Sequence, residues 1–202
     1  MVSERLSGSE NDSADNGERA DEYSNPGRLA SVSKRRKDLL HAFVPVKFER
    51  TNDMELVAQI ARHSKIYPAS SDDYAPPPHE WSPLQHESIW HVLVSEGKEL
   101  LGMFVFVPES RICWRIHVCL LPCAYGERTA RAGRGVTRWI FENSPVLRLT
   151  GSIPEYNRLA IRFARLSGWK EFGVNKLSHM KDGKLHDQLL FGISKEELTW
   201  DS

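Results

Sequence analysis

One histidine on a predicted strand is a candidate for acid–base chemistry. His117 lies in an alternating apolar run, on the same strand face as Arg115 and Cys119. An imidazole with an ordinary pKa of about 6.5 can accept a proton at neutral pH. A hydrogen-bonded histidine of the core is an equally good interpretation of this residue. Glu109, at a predicted turn, is a weaker candidate base.

A second candidate is an anion-binding turn that precedes a basic helix. Gly126, Thr129 and the small Ala130 lie where the helix begins, and Arg128 and Arg131 belong to its first turns. Unpaired N–H groups at the positive end of a helix dipole bind phosphate, and arginine adds charged hydrogen bonds. Between residues 126 and 176, ten lysines and arginines face four acids. This half of the chain therefore predicts an anionic ligand.

The cysteines predict neither a disulfide framework nor a metal site. Cys113, Cys119 and Cys123 fall within eleven residues, and no histidine lies at a zinc-like spacing from them. We therefore expect free thiols, no metal and a reducing compartment.

The elements that must position these residues are strands and helices in mixed order. A strand at 42–49 and a short helix precede a proline-rich stretch at 67–83, which we expect to be an irregular binding loop. Three strands follow from residue 88, then a helix, a strand at 146–153, a second helix and a hairpin of strands at 169–180 and 185–193. This order predicts an α/β (α+β mixed sheet) domain in which segments 112–122 and 146–153 are neighbouring parallel strands.

The N-terminal segment differs from the rest in charge. Residues 1–25 carry seven acids and two bases, and residues 26–50 carry seven bases and two acids. We expect residues 1–40 to be a disordered or partner-bound tail and residues 41–202 to be the domain. No signal peptide, transit peptide or membrane-length apolar run is apparent, so we expect a cytoplasmic protein without membrane contact.

At this point the sequence resembles the GNAT N-acetyltransferase superfamily over about Val46 to Ile193. The resemblance rests on the runs Trp114-Arg115-Ile116-His117-Val118-Cys119-Leu120-Leu121-Pro122, Ile153-Pro154-Glu155-Tyr156-Asn157-Arg158-Leu159-Ala160 and Leu166-Ser167-Gly168-Trp169. Together with Lys181-Asp182-Gly183-Lys184 and Asp187, the second and third runs resemble the branch that acetylates ribosomal-protein N-termini. The sequence is also similar to acetyltransferase-like proteins encoded by bacteriophages.

The resemblance implies a GNAT-like acyl-CoA N-acyltransferase fold that binds acetyl-CoA. The implied cofactor-binding residues are Val118, Cys119 and Leu120 for the pantetheine arm, Tyr125, Gly126, Arg128, Thr129 and Arg131 for the pyrophosphate, and Asn157 for a pantetheine carbonyl. Asn157 is also a good candidate for the N-cap of the following helix.

The sequence departs from the family pattern at two positions. Arg128 stands where the phosphate-binding turn has its central glycine, and Ala164 stands where the family has a proton-donating tyrosine. Tyr156 is our candidate for that donor, with Tyr125, Ser167 or water as alternatives. The implied catalytic residues are therefore His117 and Tyr156.

These features support two functions. The first is an acetyl-CoA-dependent N-acetyltransferase acting on an amine, either a protein N-terminus, a lysine or a small molecule. The alternative is a catalytically degenerate GNAT-like domain that serves as a structural or adaptor component of a bacteriophage particle. In that case its tail would dock on a protein partner, in the host cytoplasm or the virion. Nucleic-acid binding by the arginines is the least favoured interpretation.

Overall fold

The described part of the protein is a seven-stranded sheet with helices packed on it. The structure, a computed structural model, describes residues 45–198, so the predicted tail at 1–40 lies outside the described residues. The elements are β1 (Val46–Thr51), α1 (Met54–Ala61), α2 (Tyr67–Ser70), β2 (Trp90–Glu96), β3 (Glu99–Pro108), β4 (Cys113–Leu120), α3 (Glu127–Asn143), β5 (Arg148–Pro154), α4 (Arg158–Leu166), β6 (Lys170–Lys181) and β7 (Lys184–Ser194). Single 3₁₀ turns lie at Pro122–Ala124 and Lys195–Glu197.

The strand order is β1-β2-β3-β4-β5-β7-β6, which confirms the predicted mixed sheet. Strands β4 and β5 run parallel, and all other neighbouring pairs are antiparallel. The predicted parallel neighbours, 112–122 and 146–153, are therefore correct. None of the described helices is long and apolar enough to span a membrane.

The parallel contact between β4 and β5 is short. It covers three residue pairs and ends where Arg115 lies beside Thr150. Beyond that point β4 continues beside β3 as far as Leu120, and β5 continues beside β7 as far as Pro154. The two strands thus separate towards their carboxyl ends. We call this gap, between residues 116–120 and 151–154, the notch.

Alternation along β4 directs side chains into two cores. Ile116 and Leu120 face the main core, which includes residues of α3 and α4. Cys119 faces the other side, where it packs with Val57 and Ile60 of α1. Helices therefore cover both faces of the sheet near the notch.

The irregular loop expected at 67–83 begins with a short helix, α2, so the prediction was wrong there. Pro68 occupies the first turn of α2, where its missing N–H costs no hydrogen bond. Tyr67 is buried, and its hydroxyl donates to the Pro76 carbonyl, which fixes the following chain against the helix.

Candidate functional site

A cavity of about 550 Å³ opens at the notch. Its walls come from β4, from the turn and first residues of α3, from α4 and from α2 with the two residues before it. Six of the nine predicted cofactor-binding residues line it, namely Val118, Leu120, Tyr125, Gly126, Thr129 and Asn157. These six residues come from three separate segments of the chain.

The turn before α3 has a backbone that favours glycine. Gly126 is the N-cap of α3 and has φ 96° and ψ −139°, which L-residues rarely adopt. A Cβ placed on Gly126 would meet no atom within 4 Å, so the requirement is conformational rather than steric. The turn leads into the first N–H groups of α3. The N–H of Thr129 donates to the Gly126 carbonyl at 3.2 Å, and the two N–H groups before it have no acceptor within the helix.

The first turn of α3 also carries one acid into the cavity. Glu127 lines the wall beside Thr129, whose hydroxyl donates to the Ala124 carbonyl at 2.7 Å. A carboxylate at a helix N-terminus is stabilised by the dipole. Glu127 therefore competes with an anionic ligand for the same positive end of α3.

Arg128 and Arg131, predicted to bind phosphates, do not line the cavity. Arg128 binds Glu96 through Nε at 2.7 Å and Glu99 through Nη1 at 2.7 Å, and Arg131 also pairs with Glu96. The Glu96 side chain is only 8% exposed. Both arginines are thus directed to the β2–β3 hairpin, because a nearly buried carboxylate requires cations around it.

Two other cations line the cavity, and the sequence reasoning missed them. Lys65 precedes α2, and Arg162 lies on α4. Within residues 45–198, neither side chain forms a hydrogen bond or an ion pair. A signal for Arg162 was present, because helical spacing places it on the same face as Leu159 and Leu166, which also line the cavity. Lys65 had no local signal.

Asn157 links two walls of the cavity. Its Oδ1 accepts from the Ala160 N–H at 3.1 Å, which makes it the N-cap of α4. Its Nδ2 donates to the Ala69 carbonyl of α2, also at 3.1 Å. An amide group has two N–H donors and two acceptor lone pairs, so one of each is left for a ligand. The predicted contact with a pantetheine carbonyl stays a prediction.

Cys119 places its thiol away from the cavity. The side chain is buried in the core beneath α1, and burial raises the pKa of the thiol to about 12. Any contribution of Cys119 to ligand binding would come from its backbone, as the resemblance implies. No group of three or more potential metal ligands occurs in the described part of the chain.

His117 lies on the opposite sheet face from Val118, just beyond the last β4–β5 pair. Its side chain keeps an exposed surface and is not a fully buried core histidine. Partial desolvation by the surrounding protein, and secondly the charge of Arg115, lower the pKa of His117, while Glu109 acts in the opposite direction. Glu109 itself forms an ion pair with Arg115 and accepts a hydrogen bond from Thr150 at 3.0 Å.

Tyr156, the predicted proton donor, is held by a histidine that the sequence reasoning did not select. Its hydroxyl lies 2.8 Å from Nε2 of His179 on β6. Desolvation is the main cause that raises the pKa of Tyr156. Neither Tyr156 nor His117 lines the cavity itself, but Tyr156 directly precedes Asn157, which does.

Comparison with solved structures identifies the class of fold. No protein-family model matches the sequence, and no curated protein matches it. A chimera of Vibrio cholerae spermidine N-acetyltransferase and hSSAT superposes with a TM-score of 0.61 at 11% identity, covering 76% of this chain and 98% of that one. A Salmonella typhimurium acetyltransferase that modifies the N-terminal serine of a 50S ribosomal subunit protein gives 0.59 at 14% identity, covering 75% and 98%.

A T. thermophilus structure described as an acetyltransferase gives a TM-score of 0.58 at 18% identity, covering 75% of this chain and 87% of that one. At these identities the likeness concerns the fold alone. The protein thus has the fold of the GNAT acetyltransferases, as the sequence resemblance implied.

Proposed function

We propose that the protein is an acetyl-CoA-dependent N-acetyltransferase. The observation that carries this proposal is the cavity at the notch, where a strand edge, a helix N-terminus and two cations that form no ion pair with the described residues converge. Each of these features matches one part of a long anionic thioester. The proposed location is the cytoplasm, which contains acetyl-CoA and keeps cysteine thiols reduced.

Different walls of the cavity would hold different parts of acetyl-CoA. Backbone groups of residues 118–120, which have no β5 partner, are available to the amide groups of the pantetheine arm. Lys65, Arg162 and the first N–H groups of α3 are available to the phosphates. When bound, acetyl-CoA supplies an acetyl group that is activated as a thioester.

The acceptor is proposed to be an amine that enters beside the carboxyl end of β5. A protein N-terminus, a lysine and a small molecule are the substrate classes under this proposal. The structural neighbours named above include one protein described as acting on spermidine and one on an N-terminal serine. The proton carriers proposed near the notch are His117 and Tyr156.

Calorimetric titration of acetyl-CoA into the full chain tests this proposal. The parent should bind acetyl-CoA, and Ala69→Trp should weaken binding at least tenfold, because Ala69 is an exposed residue that lines the cavity and a large ring there would fill it. Gln59→Trp, on the exposed side of α1, is the matched control and should bind as the parent does. Equal affinities in all three proteins would contradict the proposed site.

A second candidate function is that of a GNAT-like domain without catalytic activity, which serves as a structural or adaptor component. More specifically, this component would belong to a bacteriophage particle. It is favoured by the ion pairing of Arg128 and by the carboxylate of Glu127 in the cavity wall. This candidate requires that acetyl-CoA produce no binding heat at millimolar concentration, which the same titration measures.

A further inference from the structure

Three titratable rings meet where β5 ends. The Tyr156 hydroxyl lies 2.8 Å from Nε2 of His179, and the Tyr156 ring contacts the His186 ring edge-on at a centroid distance of 5.0 Å. His179 and His186 are paired across β6 and β7. Nδ1 of His186 lies 3.3 Å from a carboxylate oxygen of Glu155. The rings are half-buried, so they are shielded by protein yet reachable by solvent.

The hairpin that carries the two histidines is fixed against the chain that follows α2. The Asp73 carboxylate accepts from the backbone N–H groups of Asp182 at 2.9 Å and Gly183 at 2.8 Å. Lys181 donates to the Ser71 carbonyl at 2.9 Å. Since α2 is a wall of the cavity, these contacts fix the rings relative to the cavity.

We propose that the Tyr156–His179 pair is the proton acceptor of acetyl transfer, an inference that rests on the proposed function. Tyr156 directly precedes Asn157, which lines the cavity, and its hydroxyl contacts the hairpin that is fixed to the chain after α2, another wall of the cavity. The hydroxyl would take the proton from the amine nitrogen while its own proton passes to Nε2 of His179.

The exchange balances in atoms and charge. The amine nitrogen forms a bond to the acetyl carbon, the bond from that carbon to sulfur breaks, and the thiolate leaves. The proton that the nitrogen loses reaches Nε2 of His179 through Tyr156, and it returns by the same path to the thiolate. The products are an acetylated amine and a free thiol, and the pair is back in its starting state.

The surroundings keep both groups of the pair neutral before the reaction. Desolvation, followed by the charges of Asp182, Asp73 and Asp72, raises the pKa of Tyr156, so its hydroxyl holds a proton that it can pass to His179. Desolvation lowers the pKa of His179, so its imidazole is neutral and has a lone pair at pH 7.

The charged groups around His179 act in both directions. Asp72 and Asp73, from the chain after α2, favour the imidazolium that forms when the proton arrives. Lys181 on β6 and His186 on β7 disfavour it. An imidazole between opposing charges can take up a proton and release it again within one turnover.

His117 lacks the second group that an effective base has. A base is usually oriented by a hydrogen-bonded partner, as His179 is by Tyr156. Within residues 45–198 the His117 side chain forms no hydrogen bond. The Tyr156–His179 pair is therefore the better oriented of the two candidates.

The test compares Tyr156→Phe, His179→Gln, the double variant and the control His79→Gln, an exposed loop histidine. Single-turnover acetylation is followed with spermidine and with a peptide that has a free N-terminal serine. Both single variants should lose roughly 100-fold or more in rate. The double variant should lose no more than either, because the two groups act as a unit. The acid limb of the parent's pH profile should disappear in His179→Gln.

Two further measurements separate failure of this proposal from failure of the proposed function. The affinity for acetyl-CoA, measured by calorimetry, should be the same in the parent and all variants. If the parent does not bind acetyl-CoA, the proposed function itself is refuted. Imidazole ¹⁵N shifts of His179 should change in Tyr156→Phe without any ligand. The proposed role of the Tyr156–His179 pair is overturned if both single variants bind acetyl-CoA normally and react at the full rate. It is also overturned if the rate is lost in His117→Gln and not in these two variants. A parent that binds acetyl-CoA but acetylates neither probe also overturns it.

Discussion

Reversing the charge of Arg162 should weaken acetyl-CoA binding about 100-fold at low salt. At about 6 Å from a phosphate and an effective dielectric constant near 40, one unit charge contributes about 1.4 kcal/mol. Arg162→Glu changes the charge by two units and should therefore cost about 3 kcal/mol. Arg162→Gln removes only one unit, so its loss should be about tenfold.

The structure provides a matched control on the same helix. Arg158 is exposed on α4 but does not line the cavity, so Arg158→Glu should change the affinity by less than about threefold. Calorimetry at about 0.05 M and 0.5 M salt adds a second criterion, because exposed charges are screened beyond about 4 Å at the higher concentration. The Arg162→Glu effect should shrink accordingly.

The competing assignment of the phosphates can be tested in the same series. Arg128→Glu combined with Arg131→Glu should lower the melting temperature, because it leaves the nearly buried Glu96 among negative charges. Its acetyl-CoA affinity, measured well below melting, should fall less than that of Arg162→Glu. The opposite ranking, with Arg162→Glu binding normally, would refute the assignment of Arg162 and restore the assignment made from the sequence.

Three further predictions concern stability and reactivity. Gly133→Ala should lower the free energy of unfolding by roughly 1–3 kcal/mol in denaturant titrations. The new Cβ would overlap a buried serine hydroxyl and lie 2.8 Å from a phenylalanine ring. The control Gly173→Ala should lower it clearly less, because the nearest neighbour of its Cβ lies at 3.6 Å. Iodoacetamide at pH 8 should modify the exposed Cys123 but not the buried Cys119 until denaturant is added, as peptide mapping would show. Asp73→Asn should destabilise the protein at pH 7, because backbone N–H groups hold the pKa of Asp73 below its ordinary value. This difference should disappear as the pH falls through that lowered pKa, and a stability difference that persists in strong acid would contradict this role.

The fold could be predicted because its signals are local. Alternation within β2, β3 and β4, with short turns between them, specifies a meander regardless of what the rest of the chain does. The parallel placement of β5 follows from a helix that connects two strands. The missed helix α2 shows the limit, since four residues with a proline at the start carry too little periodicity to predict.

The candidate site could be predicted where backbone geometry defines it. Gly126 and Asn157 are helix N-caps, a role set by neighbours within three residues, and both line the cavity. The partner of Tyr156 could not be found in this way. His179 lies 23 residues away on a strand whose register shifts just before it, so no regular spacing connects the two.

The arginines of α3 show that charge in the sequence does not predict the partner of each cation. Their partners, Glu96 and Glu99, lie 29 to 35 residues earlier in the hairpin between β2 and β3. A carboxylate as buried as Glu96 would be strongly destabilising without cations, so Arg128 and Arg131 are needed where they are, whether or not a ligand binds. By joining the first turns of α3 to the hairpin they fix the position of the Gly126 turn. A basic helix can thus serve an anion site by positioning its N–H groups, while cations from other elements supply the charge.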